Sequence, residues 1–217
     1  MMGTATVGRQ GTPGALGVPG LVAGIRAGIA TCKLCPAMRP FRKLPPESFG
    51  TTRTGYVLVA EAPGMKGELF RDASGAAMRE ALAQTHDEEY RSLEDLFFLT
   101  HAVRCVPADP KAKAKTRAPK RSECSACRPY LAFELRALHP KLVLAVGGKA
   151  AEAVLGTPVV METEHGQRRR IGDIELLTIL VPSPHNRAAL KRKGFTIESY
   201  TRWLAGLFGA LIDDLRR

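Results

Sequence analysis

The sequence predicts an α/β fold of three layers, in which a mainly parallel, four-stranded central sheet is covered by helices on both faces. Two observations carry that prediction. Four short apolar runs, at 56–60, 96–100, 142–147 and 174–181, have strand length and are bounded by turn residues. Helical patterns separate them, and strands alternating with helices give a parallel sheet sandwiched between helical layers. With 217 residues, 45% of them apolar, the chain can bury one sizeable core.

The elements follow in order. Residues 1–20 are Gly-rich, nearly uncharged and without a basic start or apolar centre, and read as a disordered tail. A single domain is expected over 21–217. Leu21 to Cys32 forms a short helix, and the Pro- and Arg-rich stretch 36–53 an extended connection. Tyr56–Ala60 is a buried strand ending at the Pro63-Gly64 turn. Ser74 to Gln84 is a helix with Ser74 as a candidate cap. Leu96–Thr100 is the second strand, and the charged stretch 107–121 a loop. Glu123 to Leu138 is helical by the spacing of Cys127, Leu131, Leu135 and Leu138. Pro129 lies inside it, which predicts a kink or a later start. Leu142–Gly147 is the third strand, Lys149–Leu155 a short helix, Ile174–Val181 the fourth strand and Ile197–Leu215 the closing helix.

Sites in such sheets lie beyond the carboxyl ends of the strands. Glu61 to Gly64, His101, and Ser183 to Asn186 all fall there. No run of 18 uncharged apolar residues occurs, so no membrane span and a cytoplasmic location are expected. The net charge of +11 suggests a polyanionic partner. The charge is gathered at 111–121, at Arg168–Arg170 and at 187–193, all expected to be loops able to reach phosphate.

The cysteines number five, an odd count that argues against a disulfide framework. Two Cys-x-x-Cys pairs argue for a metal. Cys32 and Cys35 with Cys124 and Cys127 would make a four-thiolate zinc site. Cys32, Cys35, Cys105 and Cys127 would hold a four-iron cluster and leave Cys124 as a buried thiol. Spacing favours zinc slightly, and thiolate softness suits both metals.

Five segments in order resemble the iron–sulfur branch of the uracil-DNA glycosylase superfamily, in particular families 4 and 5. They are Cys32-Lys33-Leu34-Cys35-Pro36; Ala60-Glu61-Ala62-Pro63-Gly64, with a Glu like that of family 4; Phe70-Arg71-Asp72-Ala73-Ser74-Gly75, similar to family 5; Ala102–Pro107 with Ala126–Leu131; and Pro182-Ser183-Pro184-His185-Asn186, similar to family 5. The resemblance is closest to family 5. It implies the uracil-DNA glycosylase-like fold and a 4Fe-4S cluster on Cys32, Cys35, Cys105 and Cys127. It also implies DNA containing uracil or another deaminated base as partner, and a monomer that initiates base-excision repair as a monofunctional hydrolase. The chain departs from the pattern at Val181, where the family places a His, and at His101, where family 4 places Asn. Val181 cannot donate a hydrogen bond, which motivates an alternative: a non-catalytic, cluster-bearing DNA-binding protein of the same fold.

Breaking an N-glycosidic bond leaves a cation-like sugar and an anionic base, so the site needs a carboxylate, a positioned water and donors facing the base. The base must also leave the stack for a snug pocket. The resemblance implies Asp72 as the residue that positions water; a capping carboxylate at a helix start competes with that reading. Glu61 is a second catalytic candidate, against a solvated loop residue. His185 is the third, as a donor to the base or to phosphate. For substrate binding the candidates are Phe70 as stacking platform, backbone amides near Ala62 and Gly64, His101 at a strand end, Ser183, and Asn186, which competes with a turn-capping role.

Overall fold

The computed structural model describes residues 18–41, 48–65, 70–108 and 116–217. A sheet of six strands runs in the order β1-β3-β2-β4-β6-β5. β2 (Tyr56–Ala60), β3 (Phe98–His101), β4 (Leu142–Val146) and β6 (Ile174–Ile179) are parallel. They are the four strands expected. The expectation of a four-stranded sheet is corrected at both edges, where β1 (Phe49–Gly50) and β5 (Arg168–Ile171) add antiparallel strands. β1 is too short to carry a pattern. β5 exposes three consecutive arginines, and charge on an edge strand discourages pairing with other chains.

Side chains alternate across the sheet, which explains why the central runs are apolar throughout. Tyr56 and Leu58 face the layer formed by α2 (Ala73–Ala83) and α8 (Ile197–Leu215), against Met78, Leu82, Leu204 and Phe208. Val57 and Val59 face α4 (Arg121–Leu138) and α5 (Gly148–Leu155), against Leu131, Leu135, Ala150 and Ala151. Each large apolar side chain buried this way contributes about 1.5–3 kcal/mol before the entropy of ordering it. α1 (Val18–Thr31) packs outside α4 through Ile25 and Ile29, and the Tyr130 hydroxyl donates to the Gly28 carbonyl at 3.1 Å.

Several boundaries move. α1 opens at Val18, so its first residues belong to a helix and not to a tail reaching residue 20; residues 1–17 lie outside the described ones. Residues 36–41 form a 3-10 turn inside the stretch expected to be extended. α2 is capped by Asp72, not Ser74. Leu93–Leu96 forms a single helical turn, α3, capped reciprocally by Ser92 and Asp95, so β3 starts later than expected. α4 starts earlier than expected and runs through Pro129, which is exposed. Two further short helices, α6 (Met161–Glu164) and α7 (Arg187–Arg192), flank β5 and follow β6.

The arginines of β5 are correspondingly not a phosphate-reaching loop. Arg168 pairs with Glu175 and Arg169 with Glu164, while Arg170 Nε donates to the Gly172 carbonyl. Of the 111–121 cluster, Lys111, Lys113 and Lys115 lie outside the described residues, and Arg117 pairs with Glu123 at 2.6 Å. Among the described residues no helix is long and apolar enough to cross a membrane.

Candidate active site

The strand order sets four side chains or turns in a row along the carboxyl edge of the sheet. His101 ends β3, Glu61 follows β2, Gly147 follows β4 and Val181 follows β6. Ala60 is in register with His101, so Glu61 lies next to that histidine along the edge. A cleft of about 640 Å³ opens here, walled by Glu61, Gly147, Val181, Asn186, Arg192 and Lys193 among others. It occupies the crevice expected of a parallel sheet.

Glu61 is held from two sides. Its Oε1 accepts the Lys149 backbone N–H at the start of α5 at 3.0 Å, and its own carbonyl accepts the Val103 N–H at 3.0 Å. Burial pushes its carboxyl above the ordinary value, opposed by the bond and charge from Lys149. Gly147 makes this seat possible. A Cβ there would overlap the Glu61 carboxylate and come within 2.8 Å of Val181 Cγ2, and its φ of +96° suits glycine alone.

On the other side of Glu61, the Phe70 and His101 rings are parallel, 7° apart in plane with centroids 6.0 Å apart. Both are buried. Burial, and secondarily the charge of Arg104, pushes the His101 pKa down to about 3, so its imidazole is neutral. Phe70 holds a φ of +51°, an uncommon conformation for an aromatic residue. Gly75 permits it, because any Cβ at Gly75 would overlap the Phe70 carbonyl.

Asp72 is exposed and caps α2. Its Oδ1 accepts the Gly75 N–H at 2.9 Å and the Ser74 hydroxyl at 2.7 Å. The competing reading of Asp72 as a helix-start carboxylate therefore describes its geometry. Ser183 is buried and its Oγ accepts the His185 N–H at 3.3 Å; the His185 side chain is exposed. Asn186 Nδ2 donates to the Val181 carbonyl at 3.2 Å, closing the turn after β6. Ala62 packs beside the cysteines, and Gly64 has open space where a Cβ would point. The structure thus brings Glu61 and Asn186 to the cleft and Phe70 to His101. It does not put Asp72, Ser183 or His185 on the described cleft wall.

Cys35, Cys105, Cys124 and Cys127 share one patch with Met38 and Val103, although they come from three separate stretches, α4, the α1–β1 connection and the loop after β3. Cys32 follows α1 directly and leads into the turn that carries Cys35. Burial pushes the thiols of Cys124 and Cys127 up to about 11. Their remaining surroundings differ. Cys127 accepts the Arg104 backbone N–H and feels Cys105 and Cys35, whereas Cys124 feels Lys149, Glu152 and Glu61. Among the described residues no set of three or more His, Cys, Asp or Glu side chains is arranged to hold a metal ion.

Two features were not anticipated from the sequence. One is the Gly147-Gly148 corner, for which paired glycines at a strand's carboxyl end were the available signal. The other is a buried polar network behind His101: Arg104 bonds to Ser48 and Glu134, and Thr100 donates to Glu134 at 2.6 Å. Nothing in the local pattern announces that pairing, since its members are far apart in sequence.

Comparison with known proteins agrees with this geometry. The family model described as the uracil DNA glycosylase superfamily matches residues 47–205. A type-4 uracil-DNA glycosylase of Pyrobaculum aerophilum is 30% identical over 198 residues, covering 85% of this chain and 92% of that protein. Type-4 uracil-DNA glycosylases of Sulfurisphaera tokodaii and Archaeoglobus fulgidus are each 28% identical, over 57% and 58% of this chain and 53% and 59% of their own lengths. With the parallel sheet, the cleft at its carboxyl edge and a match across most of its length, the chain belongs to the uracil DNA glycosylase superfamily.

Proposed function

We propose that this chain hydrolyses the N-glycosidic bond of uracil, or of another deaminated base turned out of DNA, as the first step of base-excision repair. The observation that carries the reading is the row His101, Glu61, Gly147, Val181 along one edge of a cleft, in a chain of this superfamily. Phe70 offers its ring to the everted base and the neutral His101 imidazole offers an N–H to its edge. Glu61, fixed by the start of α5 on the cleft wall, supplies a second carboxylate for the cation-like sugar. Asp72 orients water. Its Oδ1 is engaged by Gly75 and Ser74, which holds the carboxylate plane in one direction. His185, exposed on the turn after β6, meets DNA, with Ser183 and Asn186 shaping that turn.

The donor chemistry of the cysteine patch fits a 4Fe-4S cluster on Cys32, Cys35, Cys105 and Cys127. Soft sulfurs from distant segments converge there, and Cys127 has Cys105 and Cys35 among its neighbours while Cys124 is surrounded by the charges of Lys149, Glu152 and Glu61. When bound, the cluster cross-links α4, the α1–β1 connection and the loop after β3.

The test is release of uracil from a DNA oligonucleotide, with Asp72→Asn as the diagnostic variant. Asn retains the capping acceptor, so stability should change by only a few tenths of a kcal/mol. Excision should fall at least about a hundredfold with DNA affinity retained. Equal turnover by the variant would remove Asp72 from the chemistry. Binding without any abasic product from the wild type would favour the non-catalytic alternative, which the apolar side chain at Val181 motivates.

A further inference from the structure

β6 loses its β5 neighbour just before it reaches the cleft. Thr178 still pairs on that side: its carbonyl accepts the Gly166 N–H at 2.8 Å and its N–H reaches the Gln167 carbonyl at 3.4 Å. Ile179 turns the other way, and its carbonyl accepts the Gly147 N–H at 2.8 Å. Leu180 faces the β5 side again. Arg168 is in antiparallel register with Leu177, so the same register, continued, sets His165 opposite Leu180. There the backbone cannot serve, because the His165 N–H is spent on the Met161 carbonyl at the end of α6. Leu180 is buried, and a buried N–H and C=O that lose their ladder must find other partners. Two side chains supply them. The Leu180 N–H donates to His165 Nδ1 at 3.3 Å, and the Leu180 carbonyl accepts the Tyr200 hydroxyl at 2.9 Å.

Both side chains are themselves held. The His165 ring meets Trp203, Tyr200 and Phe195 edge-on, with centroids 5.0, 5.6 and 5.9 Å away, and Tyr200 stacks on Trp203 with planes 7° apart. Burial, and then the charge of Lys193, hold the His165 imidazole below its ordinary pKa, which keeps the Nδ1 lone pair available. His165 and Tyr200 stand behind the cleft wall, whereas Leu180 and Val181 are on it. The turn beyond them hangs from the Val181 carbonyl, which accepts the Ser183 N–H at 2.9 Å and Asn186 Nδ2 at 3.2 Å. Where Leu180 is held therefore decides where that turn sits.

We propose that His165, together with Tyr200, is a positioning residue for base excision: the pair replaces a missing sheet neighbour for Leu180 and so fixes the cleft wall and the turn bearing Ser183, His185 and Asn186. This role rests on the excision reading above. Misplacement of a reacting site by about 1 Å can cost about a hundredfold in rate, so releasing Leu180 slows the chemical step more than it weakens the hold on DNA.

The experiment measures single-turnover uracil release, DNA affinity and hydrogen exchange at the Leu180 amide in wild type, His165→Asn, His165→Leu and Tyr200→Phe. Asn offers Oδ1 where His offers Nδ1, whereas Leu packs better among the rings and accepts nothing. A role in packing alone favours Leu; a positioning role favours Asn. His165→Asn should release uracil within about threefold of wild type, while His165→Leu should be slower by about tenfold or more with DNA affinity within about threefold. The Leu180 amide should exchange about tenfold or more faster in His165→Leu and stay protected in His165→Asn. Tyr200→Phe keeps the stacked ring but leaves the Leu180 carbonyl without its donor, and should also slow release. Release by His165→Leu as fast as by His165→Asn, or equal protection of Leu180 in both, would overturn the role of His165 and leave the excision reading standing. No uracil release by wild type would overturn the excision reading and, with it, the part given to His165 in catalysis. Should His165→Leu not fold, Tyr200→Phe decides, and a wild-type rate with unchanged Leu180 exchange in that variant would overturn the clamp.

Discussion

His101 is a base that the fold keeps from taking a proton. Its pKa falls from the ordinary 6.5 to about 3 through burial, with Arg104 adding to the effect. Between those values the unfolded chain binds a proton that the folded chain does not, so this group makes stability fall as pH drops from about 6.5 toward 3. Glu61 acts in the opposite sense. Its carboxyl is raised by burial, so the folded chain holds the proton longer, and its contribution is lost as pH rises above the ordinary carboxylate value. The acid limb of a stability curve should therefore carry a His101 slope approaching about 1.4 kcal/mol per pH unit. His101→Asn should flatten that limb in denaturant titrations between pH 6.5 and 4, and an unchanged limb would place the imidazole in contact with solvent. The sequence placed His101 at the end of its strand and Phe70 in the same neighbourhood, since both follow from an apolar run and a motif. It did not reveal that the rings stack, because Phe70 reaches its position by a left-handed backbone and a carbonyl pressed against Gly75. Nor did it separate the two readings of Asp72, because capping a helix and orienting water ask for the same carboxylate.

At the scale of elements, the four parallel strands and α8 were legible because each has a strong period or a continuous apolar run. β1 and β5 were not: one is a pair of residues and the other is held by hydrogen bonds to β6 with arginines outward, so neither needs an apolar signature. The join between α4 and β3 was also invisible. Arg104 and Glu134 are fully buried and pair inside, with Ser48 and Thr100 completing the network, while Arg104 Nε and Glu134 Oε1 find no protein partner. A buried pair of this kind does more to fix register than to add stability, because desolvation offsets much of the attraction. Removing one partner is different. Glu134→Ala should cost about 3–5 kcal/mol by leaving the guanidinium buried and alone. Replacing both residues with apolar ones of similar volume should restore most of that loss. Thermal or chemical denaturation of the single and double variants checks this. A loss below about 1 kcal/mol in the single variant would mean that water reaches the network.

For the molecule as a whole, the excess of 32 basic over 21 acidic residues is not spread evenly. Many arginines are neutralised locally, as in Arg79–Glu94, Arg104–Glu134, Arg117–Glu123 and Arg169–Glu164. α7 is different: it presents Arg187, Lys191 and Arg192, followed by Lys193, on an exposed surface, and Arg192 and Lys193 reach the rim of the cleft. Their links to Glu162 are solvent-exposed, and such pairs are worth little, so a phosphate can compete for the same donors. Phosphate contacts release counterions, and each one lost lowers the slope of log affinity against log salt by about 0.9. Arg192→Ala with Lys193→Ala should therefore weaken DNA binding at low salt and reduce the slope by about 1–2, measured by fluorescence anisotropy across a salt series. Lys141, at the amino ends of the strands and close to the Tyr56 ring and Asp214, provides the control. Lys141→Ala removes one positive charge from the opposite edge of the sheet and should leave the slope unchanged, where a single rim variant, Arg192→Ala, lowers it by about 0.9. If the two variants flattened the salt dependence equally, net charge alone would account for binding and the cleft rim would have no special part in seating DNA.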